Sequence, residues 1–577
     1  MKKYILMVIA SMMLVSCLDT IILPDDKTVD EDFWKTKEDV ASMVNAAYAA
    51  MTTEDVISRI ILWGSYRSDE ITRSTSFVGA GPDALDEISS VNIQTTNMYA
   101  TWAAFYAVIN KCNIVLERAP GVMEEDPNYA EGNYKVDRAQ MLALRSLCYF
   151  YLVRTFRDVP YITTAYMNSS QDMAITQSAP ETVLTNCIAD LEDAMTYGLD
   201  ARSYNLDDWR RVGWFTNDGI RMLAADIYLW LASIHHNPTY YQRCADLCLQ
   251  VIESKKAQHK TGRGETAKDY PLPDADKAYD DLFVSQNAEE SILELQSKNN
   301  SGLCHWYYKH KNNDSSEGYL RGTLIFGTAS TMNTNVSASQ VFYSGDLRYY
   351  AATYKNSKST DNVFHIRKMV GQTSVTDKTT EERTNSRQHD NYGQNFIIYR
   401  LSDAMLMRAE ALTQLYDEDA KPTDPIKRVA FEMVRQVNMN SLFTLTDSLK
   451  WGTYQNVTRD DMEKLVMEER LREFCFEGKR WYDLLRYNYR HITETVDYNR
   501  TLGQQLAEDG AYRGIKNYNG MLELMTRASE NDAKGIMAKM VSEAYLYLPI
   551  PNSDIIVNPL LKQNPVYTNN NEYNKNY

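Results

Sequence analysis

The sequence has no arginine-rich run and no basic patch, and its formal net charge is −16. With a pI near 5.1, that balance argues against nucleic acid as a partner. Beyond the first sixteen residues there is no apolar run of the roughly 20 residues needed to span a bilayer. H-E-x-x-H, G-x-S-x-G and phosphate-binding glycine loops are missing, so the readable signatures of zinc proteases, α/β-hydrolases and P-loop enzymes are excluded. Histidine is scarce, at 8 residues. The adjacent His235 and His236 point to different helix faces and make a poor metal pair. Cysteine is equally sparse, at 8 residues. Cys112, Cys148, Cys187 and Cys248 fall on apolar faces of predicted helices. Cys244 and Cys248 stand one turn apart without a neighbouring histidine. Buried free thiols fit this pattern better than a disulfide framework or a metal site. No metal ligands and no cofactor are assigned, and a bound calcium is left open.

What is present describes a globular body behind a leader. Lys2 and Lys3 precede an apolar stretch from Ile5 to Val15, the layout of a secretory signal peptide over residues 1–16. The "LVSC" that follows resembles a bacterial lipobox, so Cys17 is expected to carry lipid and begin the mature chain. Hydrophobic residues make up 44% of the sequence, ample for a core at this length. Helical spacing is pervasive. Val40, Met43, Val44, Ala47, Tyr48 and Met51 follow the i, i+3, i+4, i+7 rule, as do Trp102, Phe105, Tyr106, Ile109 and Cys112. Leu223, Ile227, Tyr228 and Leu231 form another such face. It is broken at Asn237-Pro238, and a second helix follows at once through Tyr241, Cys244 and Leu247. This hairpin resembles a tetratricopeptide unit, and "LMRAEALTQLY" echoes it. The predicted fold is mostly α, a superhelical scaffold of tetratricopeptide-like hairpins with long irregular loops and small β elements that carry the ligand site.

Two stretches stand apart. Residues 298–395 are rich in Ser, Thr, Asn and Gly and open with "CHWYYKHKNN", where Trp306, Tyr307 and Tyr308 cannot all face one core. Near its end the chain reads "YLPIPNSDIIVNPLLKQNP", with four prolines in nineteen residues. That density excludes a helix and predicts a stiff strap docked on the helical body across an apolar seam. The division expected is 17–297 for a first helical region and 298–577 for a loop-rich region with closing helices.

"ERLREFCFEGKRWYDLLRY", residues 469–487, resembles the hallmark of the SusD/RagB family, surface nutrient-binding lipoproteins of polysaccharide-utilisation systems. The strap is similar to that family's closing signature. "DFWKTKEDV", "ATWAAFYAVINKCNIVLE", "LRSLCYFYLVRTFRDVPYI", "GDLRYYAATY" and "YRLSDAMLMRAEAL" match in the family's order. Cys112 departs from the usual alanine and Arg157 from the usual glycine. The charges of the hallmark, Glu469 to Arg480, read as ion pairs that lock neighbouring helices.

The resemblance implies an outer-membrane protein, lipid-anchored through Cys17 and facing the cell exterior. It would bind an oligosaccharide without breaking it and act as a lid on a SusC-like TonB-dependent barrel. Sugar binding calls for flat aromatic faces on loops held by a rigid scaffold. Trp306, Tyr307 and Tyr308 are the first candidates. Trp63, Tyr66, Arg67 and Asp69 of "WGSYRSDEIT" are the second, with Trp63 equally suited to helix packing and the other three expected to reach solvent. A peptide-binding lid of the RagB type and a surface glycoside hydrolase remain the rival readings.

Overall fold

The computed structural model describes residues 33–568 apart from 75–78, 169, 265–268, 298–305, 308–318, 327–338, 344, 355–364, 369–371, 377–382, 388–393, 495, 510–516 and 527–532. The leader, Cys17 and Tyr308 therefore lie outside the described residues. Helix α1 (Lys37–Met51) starts at a capping box, in which the Thr36 hydroxyl and the Asp39 carboxylate each accept the other's backbone N–H. It is followed by α2 (Glu54–Ile61), α3 (Ala80–Ser89), α4 (Ala103–Glu125), α5 (Glu131–Phe156) and α6 (Pro180–Tyr197). Next come α7 (Asn217–His235), α8 (Pro238–Arg263), α9 (Leu401–Thr413), α10 (Pro425–Met439), α11 (Arg459–Phe474) and α12 (Arg480–His491). His236, at φ 50°, ends α7, and the Asn237 carboxamide caps α8 ahead of Pro238. From α4 to α10 every helix packs on the next in the chain, the mode of a solenoid of hairpins. Cys112, Cys148, Cys187, Cys244, Cys248 and Cys475 are buried free thiols. Among the described residues no helix is long and apolar enough to cross a membrane.

The strands are short and paired in twos. β1 (Ile71–Arg73) pairs with β5 (Leu320–Gly322), β2 (Val159–Pro160) with β3 (Gln177–Ser178), and β4 (Ser291–Leu295) with β6 (Phe396–Arg400). All three ribbons are antiparallel. Two further ribbons, Thr353–Tyr354 with His365–Ile366 and Gln372–Thr376 with Arg383–Arg387, lie between β5 and β6. β4 and β6 join the parts of the chain on either side of residue 298, and one hydrophobic core runs through both.

The hallmark charges do lock elements together, and they do so out of water. Arg400, at the end of β6, is buried and pairs with Glu290 at 3.0 Å, with Glu477 at 3.0 Å and with Glu473. Arg348 reaches Glu469 and Glu473, each at 2.8 Å. Arg470 pairs with Asp483 at 2.9 Å, while Arg486 holds Glu410 at 2.8 Å and Asp483 at 2.6 Å. Burial alone would raise the Glu473 carboxyl, but Arg400, Arg348 and Lys368 outweigh it and hold it at about 2. The hub ties β6, α9, α11, α12 and the short helix at Arg348 to one another, so it fixes their relative positions at a large desolvation cost.

The closing strap corrects one expectation. Asn552–Val557 is helical, because Pro551 stands before its first turn and Pro559 after its last, where the missing N–H does no harm. The strap docks as foreseen over its first part: Leu546, Tyr547, Leu548 and Ile550 are buried, and the Leu548 N–H donates to the Thr155 carbonyl at 2.8 Å. Its helical turn stands clear of the body, with Ile556 and Val557 81% and 82% exposed, and the chain then docks again through the buried Leu561, Asn564 and Pro565.

Candidate functional site

Helix α2 runs without a break into a wider turn, Leu62–Tyr66, with π-type hydrogen bonding. Gly64 makes this possible: a Cβ there would sit 1.8 Å from the Gly478 carbonyl oxygen. Backbone thus rests on backbone where the turn meets the hallmark loop. β1 follows, and its register (Ile71 opposite Gly322, Arg73 opposite Leu320) draws in the chain that begins at Trp306. The Thr323 hydroxyl donates to the Asp69 carbonyl at 2.6 Å and its N–H to the Glu70 carbonyl at 3.1 Å. The two candidate clusters, far apart in sequence, are neighbours in space.

Their side chains, however, point inward, and the expectation of solvent reach is corrected for Tyr66, Arg67 and Asp69. The Trp63 indole N–H donates to the Tyr99 carbonyl at 2.9 Å, and its ring stacks on Phe105 at 5.0 Å. Tyr66 is buried, and burial pushes its hydroxyl well up. Arg67 lies 4.4 Å over the Trp481 ring and donates to the Leu546 and Tyr545 carbonyls at 2.6 and 2.8 Å. Burial lowers its guanidinium to about 10. Asp69 takes a two-pronged contact from Arg480 at 2.8 and 3.0 Å. The Tyr307 hydroxyl donates to the Phe476 carbonyl at 3.0 Å and its ring is sealed. A planar guanidinium and a carboxylate tie two helices together more firmly than they could serve a loop, which is why these polar residues sit in the core.

Trp306 belongs to a different group. Its ring meets Tyr99 edge-to-face at 5.7 Å and Tyr319 at 5.6 Å. The indole is buried, yet its N–H has no hydrogen-bond partner among the described residues. Arg59 lies 5.5 Å over the Tyr99 ring and donates to the Met98 carbonyl at 2.9 Å. Met98 is 51% exposed and Tyr319 half-buried. Beside them, Arg73 pairs with Asp86 at 2.8 Å at the surface, and the Ser74 N–H donates to the Tyr319 carbonyl at 2.9 Å. The result is an aromatic triad whose outer edge is tyrosine and methionine, flanked by a guanidinium–carboxylate pair. Such a surface can offer flat apolar faces and polar groups side by side. Tyr99, Tyr319, Arg73 and Asp86 went unnoticed in the sequence; the excess of tyrosine, 40 against 15 phenylalanines, signalled surface-facing rings in general without marking these positions.

The adjacent acids are committed elsewhere. Asp69 and Glu70 are both fully enclosed. Burial raises the Glu70 carboxyl to about 8, against the pull of hydrogen bonds from Ser65 and the Phe476 N–H. A separate cleft of about 390 Å³ is lined by Asp200, Arg202, Arg221 and Glu253 and has no aromatic face. It lacks the apolar platform that a sugar ring needs.

Comparison with known proteins agrees with the fold. Residues 290–567 match the family model described as SusD family, and residues 23–207 match one described as starch-binding, associating with the outer membrane. The chain belongs to the SusD/RagB family. A SusD-like protein P38 of Formosa agariphila is 25% identical over 538 residues, covering 85% of this chain and 92% of that one. A SusD-like protein of Bacteroides ovatus is 22% identical and covers 99% of both chains. Among solved structures, a SusD superfamily protein of Bacteroides thetaiotaomicron superposes with a TM-score of 0.61 at 21% identity, over 93% of this chain and 99% of that one. Bacteroides fragilis NanU does so at 0.60 and 18%, over 95% and 100%. In this SusD/RagB chain the residues of the family hallmark form the buried ion-pair hub and the loop that receives Gly64, so they build the scaffold, and the aromatic triad stands outside them.

Proposed function

We propose that this SusD/RagB protein is a non-catalytic receptor for an oligosaccharide at the cell surface. It is anchored in the outer membrane through lipid on Cys17, faces outward, and passes its ligand to a SusC-like TonB-dependent barrel. The observation that carries this reading is the match of residues 23–207 to a model described as starch-binding and outer-membrane-associated. The aromatic triad supplies the physical means. A pyranose laid against Tyr319 and Met98 would bury its C–H face, with Arg73 and Asp86 in reach of its hydroxyls. Tyr308, one residue beyond the sealed Tyr307, is the remaining candidate from the aromatic run.

The test is affinity electrophoresis of the purified protein through gels containing a panel of glycans, with wild type, Tyr319→Ala and Tyr308→Ala. Retardation by at least one glycan is expected, with affinity reduced about tenfold in Tyr319→Ala, the loss expected for one stacking contact. A reducing-end assay on the same mixtures should show no new ends. Glycan hydrolysis would overturn the receptor reading. Retention on peptides in place of sugars would assign the protein to peptide uptake.

A further inference from the structure

Where α11 begins and α12 ends, three potential metal donors converge. Asp460 and Glu463 stand one turn apart in the first turns of α11, and His491 is the last residue of α12. One ligand atom from each lies within 4.8 Å of the other two. The orientation of the imidazole is fixed. Its Nδ1 is 2.8 Å from the Tyr487 carbonyl oxygen, which can only accept, so Nδ1 carries the hydrogen. The ring is held between Tyr487 at 4.2 Å and Tyr518 at 4.8 Å. Nε2 is then aimed at Asp460 Oδ1, 3.2 Å away, and Glu463 Oε2, 3.6 Å away.

The carboxylates are arranged in the same manner. Asp460 gives its other oxygen to Lys464 at 2.7 Å, and Glu463 gives its other oxygen to Arg490 at 2.5 Å. Each of the three groups therefore has one atom tied by a protein partner and one turned to a common point. That is the arrangement in which outer partners orient metal ligands. With a neutral imidazole, three lone-pair-bearing atoms face each other with no hydrogen between them. A cation at their focus would satisfy all three.

We propose that Asp460, Glu463 and His491 bind a first-row divalent transition ion of the zinc type. The two carboxylates are already offset by Lys464 and Arg490, so the site offers little net negative charge to a hard cation such as calcium, which needs six or more oxygens. Coordination by the imidazole nitrogen, with two carboxylate oxygens and water completing the shell, favours a borderline ion. Asp460 and Lys464 lie at the protein surface, with side chains 43% and 52% exposed, so the ion has a path in. Bound there, it fastens the start of α11 to the end of α12, the two helices that carry the family hallmark.

The experiment is equilibrium dialysis of the purified protein against micromolar zinc chloride, with calcium chloride in parallel, for wild type, Asp460→Asn and His491→Ala. Wild type should take up zinc at one site and melt at a higher temperature when loaded. Either substitution should lower zinc affinity at least about tenfold, and calcium should leave the melting temperature unchanged. The exposed Asp460→Asn should keep its zinc-free melting temperature, which separates loss of the site from loss of the fold. No uptake by wild type, or equal uptake by all three proteins, overturns the proposal and leaves His491 as a structural bridge between two carboxylates.

Discussion

The ion-pair hub and the aromatic triad solve opposite problems with opposite chemistry. Around Arg400 the partners are charged and enclosed, and the guanidinium is committed to Glu290, Glu473 and Glu477. Around Trp306 the partners are rings meeting at their edges, one indole N–H has no acceptor among the described residues, and Tyr319 and Met98 reach the surface. Buried charge tolerates almost no rearrangement, because each unpaired group costs several kcal/mol. Ring edges slide past one another for much less. In this chain the first fixes the scaffold and the second leaves a surface that can adjust to a visitor.

Breaking the hub should have the largest effect. Arg400→Met leaves three carboxylates without their shared partner and should cost about 3–5 kcal/mol in urea unfolding; a loss below ~1 kcal/mol would show the hub to be ornamental. Gly64→Ala comes next, since its Cβ would overlap the Gly478 carbonyl oxygen. We expect about 3 kcal/mol lost and a lower yield of folded protein. Glu70→Gln sharpens the comparison by its pH dependence. Folding raises this carboxyl from 4.5 to about 8, so the native state holds the proton more tightly, and stability falls as pH rises between those values. The amide should leave stability near pH 4 unchanged and raise it by a few kcal/mol at pH 9, removing that slope in thermal melts. Tyr319→Ala should have the smallest effect on the fold, under ~1 kcal/mol, while weakening glycan retention. If it unfolds the protein instead, the triad belongs to the scaffold and the contrast fails.

The scaffold was legible because its information is local. The stripe Val40, Val44, Ala47 and Met51 is buried along α1 as the spacing requires, and Asn237-Pro238 ends one helix and caps the next. The hallmark charges from Glu469 to Arg480 fall within a dozen residues, so pairing could be read, although Arg348 and Arg400 could not. The site was poorly legible because it is assembled across long separations. Arg67 and Asp69 look like surface residues by type, and only the distant Leu546 carbonyl and Arg480 explain their burial. Tyr99 and Tyr319 carry no local mark at all; β1–β5 pairing and the position of Trp306 bring them together. The six-residue helix at Asn552–Val557 was missed for a simpler reason, since prolines were counted by density when their placement at the two ends decides the outcome.

The returning strap sets the order in which this chain can be completed. Arg67 takes its acceptors from Tyr545 and Leu546, the Asn552 N–H donates to the Thr95 carbonyl, and the Lys562 N–H donates to Gln177. A chain still emerging from the ribosome has none of these acceptors and donors in place, so the early helices wait for the last residues before their final contacts exist. The molecule is drawn shut by residues 545–562, like a bag at its neck, and a truncation that removes them would leave the beginning unfinished.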